Sequence, residues 1–217
     1  MTPSELAKQV RYIEVTTKKA VTATFAGEYK SAFKGRGMEF DEVREYQLGD
    51  DIRTIDWNVT ARAGKPYTKR FVEERELTIL LLVDFSASGL FGSTERTKLE
   101  LVTRVSALIA FSAIENSDRV GLAIFTDRIE RYVPPRKGSR HVLRLIRELL
   151  AFTPEHRGTD IGGALEASAN LFRRRSVLFL ISDFLDTHYE RALRVAAKRH
   201  DCIALSVHDL RERELPH

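Results

Sequence analysis

The chain has 217 residues, 43% hydrophobic and 30% charged, which excludes a disordered chain and suits one sizeable domain with an extension. A formal net charge of +4 is mildly basic and only weak evidence for an acidic partner or nucleic acid, since a dedicated nucleic-acid binder more often shows a concentrated basic stripe. One cysteine, Cys202, excludes an intramolecular disulfide and fits a reducing compartment; within CIALSV it reads as a structural thiol rather than a nucleophile.

The N-terminal MTPSELAKQVRYIEV lacks the apolar core of a signal peptide. Thr2-Pro3-Ser4-Glu5 reads as a helix start, with Thr2 as cap, Pro3 at the first helical position and Glu5 closing a capping box. Leu6, Val10 and Ile13 follow at helical spacing, and this helix is expected to end before Gly27. From Gly35 to Glu76 turn signals recur at KGRG, LGDD and RAGKP, between aromatic and charged residues that keep no helix period. Short strands and turns are expected there, a small β-rich extension. The domain boundary is drawn after residue 75, with 1–75 as N-terminal helix and extension and 76–217 as the main domain.

From Leu77 the pattern is regular. LTILLLVD is a continuous apolar run, as expected of a strand buried on both faces. TKLELVTRVSALIAFSAIEN is an amphipathic helix with a second capping box, Thr97 and Glu100. RVGLAIFT predicts another buried strand, and RIERYVPP a short edge strand stopped by prolines. RHVLRLIRELLAF and TDIGGALEASANLF predict helices, SVLFLISD a strand, HYERALRVAAKRH a helix and CIALSVHD a last strand. Strands alternating with helices predict a mainly parallel sheet with helices on both faces. The apolar runs fall far short of the roughly 20 residues that span a bilayer, so no membrane segment and a cytoplasmic location are expected.

In such a sheet ligands bind beyond the carboxyl ends of the strands. There the sequence places Asp84, Ser86 and Ser88, then Thr159 in RGTDIGG, then Ser182-Asp183. Asp84, Ser86 and Ser88 share one side of an extended chain. Asp84, Ser86, Ser88, Thr159 and Asp183 are hard oxygen donors, which suits Mg²⁺ or Mn²⁺. Neutral hydroxyls leave such a metal electrophilic and able to attract an outside carboxylate. Singly, Thr159 or Asp183 reads as a helix cap and Ser86 as a turn residue; the joint D-x-S-x-S, G-T-D and S-D pattern favours a metal site. No P-loop and no G-x-S-x-G elbow occur. His141, His156, His188 and His208 sit in helix-start or strand-end contexts, without triad or ligand spacing, and read as surface or cap residues.

DFSAS, GTD and SD in this order resemble the metal-ion-dependent adhesion site of von Willebrand factor A-like domains. GRGMEFDEVREYQLGDDIRTIDWNVTARAGKP, VEERELTILLLVDFSAS, DRVGLAIFTDRIERYVPPRKG and VLFLISDFLD resemble the bacterial family catalogued as domain of unknown function fifty-eight, from about Glu28 onward. The resemblance implies an α/β, three-layer von Willebrand factor A-like, Rossmann-like sandwich. It implies Ser86, Ser88 and Thr159 as hydroxyl ligands, with Asp84 and Asp183 acting directly or through water. It also implies a MoxR-type AAA+ ATPase partner, in protein assembly or metal insertion. Leu90 stands where many relatives have methionine, and relatives continue past the RERELPH at which this sequence stops.

The expected function is a non-catalytic, metal-dependent protein-binding module, its metal completed by an Asp or Glu of the ATPase or a client. The alternative is a metal-dependent hydrolase or phosphatase, with Asp84 and the metal activating water. Against it, no second acid sits in D-x-D spacing. A nucleic-acid binder, resting on PPRKGSRH and FRRRSV, ranks third, and no nucleic-acid partner is expected.

Overall fold

The computed structural model describes residues 2–21, 39–72, 76–87, 98–172 and 174–208. They belong to two compact units: Met1–Tyr29 with Leu77–His217, and a smaller Lys30–Glu76.

In the larger unit, α1 (Pro3–Ala20) starts as its sequence predicts. Glu5 N donates to Thr2 Oγ1 at 3.3 Å and Thr2 N donates back to Glu5 Oε2 at 2.7 Å. Its apolar face buries Val10, Ile13 and Val21. The sequence reading had grouped this helix with the β-rich extension. Instead it packs on α3 (Lys98–Glu115) and α4 (Ser139–Ala151), with Lys18 over the Phe111 ring and Arg104 over that of Tyr12. The reason lies in burial, since its apolar stripe needs a covering partner and finds one in these helices.

The sheet runs β5 (Ile129–Arg136), β4 (Arg119–Phe125), β3 (Thr78–Asp84), β6 (Val177–Ser182), β7 (Asp201–Ser206). Four strands are parallel, and β5 is antiparallel to β4 at one edge. β3 lies at the centre, and Ile79 to Val83 are wholly buried. That is why their run is apolar without alternation. On one face Leu80, Leu82, Phe125, Leu178 and Leu180 cluster with Ile161, Ala164 and Leu165 of α5 (Ile161–Leu171) and Ala192 and Ala196 of α6 (Glu190–Arg199). Ile79, Leu81 and Val83 alternate with these and point to the opposite face, where α3 and α4 pack on β3 and β4. The result is a mixed α/β unit of helices, sheet and helices, and its mostly parallel sheet agrees with the sequence reading.

Two local expectations change. The prolines of RIERYVPP lie within β5 rather than beyond it. Edge position tolerates their missing N–H groups, and the register against β4 shifts there between Val120 and Leu122. His141 is buried, not a surface or cap residue, and its Nε2–H donates to the Val120 carbonyl at 2.9 Å. The capping residue Thr97 lies outside the described residues; its partner Glu100 accepts from Arg104 at 2.6 Å.

The smaller unit pairs β1 (Glu39–Glu45) antiparallel with β2 (Tyr67–Val72), as the turn-rich sequence suggested. It also holds a helix that the sequence reading did not predict, α2 (Trp57–Ala63). Asp56 Oδ1 caps it, accepting from Asn58 N and Val59 N at 3.0 and 3.2 Å, and Gly64 ends it in the left-handed region. A helix this short buries no residue, so no apolar period exposes it in sequence.

Candidate metal centre

The strand order reverses at β3, since the chain moves to β4 and β5 on one side and later to β6 and β7 on the other. The connections leaving adjacent parallel strands diverge at such a point and leave a crevice at their carboxyl ends. Asp84 ends β3 and Ser182-Asp183 ends β6, so both flank that crevice.

Asp84 is nearly buried, and both its carboxylate oxygens are engaged. Oδ1 accepts from Ser86 N at 2.8 Å, and Oδ2 accepts from the Ser182 hydroxyl at 2.6 Å. Burial pushes the Asp84 carboxyl above its ordinary range; the hydrogen bonds from Ser182 and Ser86 oppose this, and the nearby Asp183 charge adds to it. Two carboxylates in a buried space favour a cation between or beside them.

Asp183 is held by a tight turn. Its Oδ1 accepts from Leu185 N at 3.3 Å, while Ser182 Oγ accepts from Phe184 N at 3.0 Å. Phe184 pays for that turn with a left-handed backbone, φ 58°. Asp183 Oδ2 faces Lys98 Nζ at 3.5 Å, and both side chains are buried. Asp84, Lys98, Val102, Ser182, Asp183 and Val207 line one cavity of about 20 Å³.

Thr159 is half-buried on the segment between α4 and α5. That segment is pinned beside the β3 end on several sides. Ala87 N donates to Arg157 O at 3.2 Å, and Phe85 stacks edge-on against Phe152. Asp160 N donates to Thr126 O at 3.0 Å, and Glu130 accepts from Glu155 N and His156 N at 2.8 and 3.1 Å. Asp186, from the turn after β6, accepts from Ile161 N at 2.8 Å. The loops after β3, β4 and β6 are thereby tied together. Asp84, Ser86 and Asp183 come together directly, and Thr159 is carried to the same edge by its neighbours. Ser88 lies outside the described residues.

Among the described residues no three of His, Cys, Asp and Glu gather as a metal-binding group. A metal here would depend on hydroxyl donors beside two carboxylates. The sequence names Ser182 beside Asp183 without giving it a role, and it does not single out Asp186 or Lys98. Ser182 becomes Asp84's partner only because β6 lies beside β3. Asp186 joins two loops far apart in the chain. Lys98 left a faint signal, a cation at a helix start, where the helix dipole disfavours it.

The family described as "Protein of unknown function DUF58" matches residues 42–217. The chain belongs to the DUF58 family. This DUF58 chain is 35% identical over 215 residues to the uncharacterized protein Rv1480 of Mycobacterium tuberculosis, across 98% of this chain and 68% of that protein. It is 32% identical over 107 residues to the uncharacterized protein YeaD of Bacillus subtilis, across 49% of this chain and 25% of YeaD. Among solved structures it is similar to BatB from Bacteroides thetaiotaomicron, with 18% identity and a TM-score of 0.51, covering 60% of this chain and 66% of that one. It is also similar to an aerotolerance-related membrane protein of Bacteroides fragilis, with 19% identity and a TM-score of 0.50, covering 60% and 67%. These likenesses show a shared fold. Among the described residues of the DUF58 chain, no helix is long and apolar enough to cross a membrane.

Proposed function

We propose that this DUF58 chain is a non-catalytic, metal-dependent protein-binding module with a von Willebrand factor A-like domain. The observation that carries the reading is the buried Asp84 carboxylate, bonded by Ser86 and Ser182 and set beside Asp183 at the strand-order reversal. The donors fit a hard divalent cation, Mg²⁺ or Mn²⁺. Ser86, Thr159 and Asp183, with Ser88, would hold it. Asp84 has both oxygens engaged and would act by orienting Ser86 and by its charge. The bound ion supplies a Lewis-acidic position for a carboxylate from outside the chain. The chain's own part is to keep its hydroxyls and carboxylates in place and water-poor.

The outside carboxylate belongs to an Asp or Glu of a partner. The partner class is a MoxR-type AAA+ ATPase or a client protein handled with it, as the family resemblance implies. The smaller unit, with α2 and its β1–β2 pair, would add contacts to the partner.

Two measurements test this. Mn²⁺ at about ten times its Kd should stabilise the wild type by about 1.4 kcal/mol, read as a higher melting temperature. Asp84→Ala should abolish that rise; no rise in the wild type at millimolar Mg²⁺ or Mn²⁺ counts against the site. A MoxR-type ATPase from the same organism should be retained with Mg²⁺ and lost with EDTA or with Asp84→Ala. Equal retention in all three would sink the metal-bridged version. Metal-dependent turnover of phosphoesters, lost in Asp84→Ala, would favour the hydrolase instead.

A further inference from the structure

Lys98 is the first residue of α3, and its side chain is only 4% exposed. Lysine is almost never buried this far unless paired, because its ammonium gives up strong hydration. One of its partners is Asp183 Oδ2, at 3.5 Å, on a side chain equally buried. Both line the cavity that also takes in Asp84 and Ser182, about 20 Å³, room for roughly one water. The chain therefore brings a cation of its own to a carboxylate of the candidate metal centre.

We propose that Lys98 is a built-in competitor of the divalent cation at Asp183. Its ammonium neutralises Asp183 while no metal is bound, and a divalent cation displaces it. This rests on the metal reading of the Asp84–Asp183 edge. Cations crowded into a buried site repel strongly, since little solvent screens them. Metal binding must therefore move the Lys98 ammonium off Asp183 or bear its repulsion, and the affinity is held low. A partner's carboxylate adds the negative charge that offsets Lys98. The metal is then held tightly in the complex and loosely in the free chain.

The test is calorimetric titration of Mn²⁺ into chelator-stripped wild type, Lys98→Met, Lys98→Arg and Asp84→Ala, with melting curves of each in EDTA. Lys98→Met should bind Mn²⁺ about tenfold more tightly than wild type or better, because the competing charge is gone. Lys98→Arg, which keeps the charge, should stay near wild type. In EDTA, Lys98→Met should melt several degrees lower, because Asp183 is left buried without its partner. Should the methionine variant not fold, Lys98→Gln supplies the same comparison. Wild type binding Mn²⁺ while Lys98→Met binds no more tightly would overturn the competition and leave the metal site standing. Absence of Mn²⁺ binding in wild type and all variants would overturn both, and a melting deficit of Lys98→Met in EDTA would then mark a plain structural ion pair.

Discussion

Burial sets the chemistry of single side chains on both sides of the sheet. Asp84 is pushed up by desolvation, and so, on β7, is the half-buried Cys202 thiol, which makes it a poor nucleophile. His141 shows the same force with the opposite sign. Burial depresses its ring below the ordinary 6.5, the hydrogen bond to Val120 O opposes this, and Arg144 and Arg136 add to it. His200, depressed chiefly by burial as well, accepts from Ser176 N at 3.3 Å through Nδ1. As pH falls through 6.5, the unfolded chain takes up protons at these rings before the folded chain does. Stability therefore falls with pH in that window. The melting temperature should drop between about pH 7.5 and 5.5. The drop should be smaller in His141→Gln, whose amide can still donate to Val120 O. An equal drop in both would show that His141 does not contribute.

At the scale of elements, the β4–β5 edge depends on one close approach. A Cβ on Gly121 would lie 2.9 Å from Pro135 Cγ and 3.0 Å from its nitrogen. Pro134 and Pro135 stand opposite Gly121 where the register shifts, two residues against one. Gly121→Ala should therefore cost about 1–3 kcal/mol by overpacking, read as a lower urea midpoint. Pro135→Ala in the same chain should recover part of the loss by removing the ring carbons. A Gly121→Ala protein as stable as wild type would show that the edge strand yields freely.

At the scale of the whole molecule, α1 belongs with the sheet unit although it precedes the smaller unit in sequence. Ile13 is 3% exposed on its packed face. Ile13→Ala should destabilise the larger unit by about 2–5 kcal/mol, read as a lower midpoint by far-ultraviolet circular dichroism. An unchanged midpoint would show that the docking of α1 contributes little to the larger unit's stability.

The sequence by itself determined the order and type of the sheet unit's elements. Buried strands read as unbroken apolar runs, and helices announce themselves through caps and periodicity, all of it local information. It also marked Asp84, Ser86 and Asp183 as candidates, because polar residues that end an apolar strand emerge at its carboxyl edge. The tertiary structure alone decided that β3 and β6 are neighbours, which gives Asp84 its bond from Ser182 and its company in Asp183. It alone placed Lys98 on Asp183, 85 residues along the chain, and α1 on α3 and α4. Strand order and helix docking are long-range choices made by burial over the whole core, and no local pattern encodes them. The short α2 escaped for the converse reason, since its cap and terminal glycine were in view but it has no buried face to give it a period.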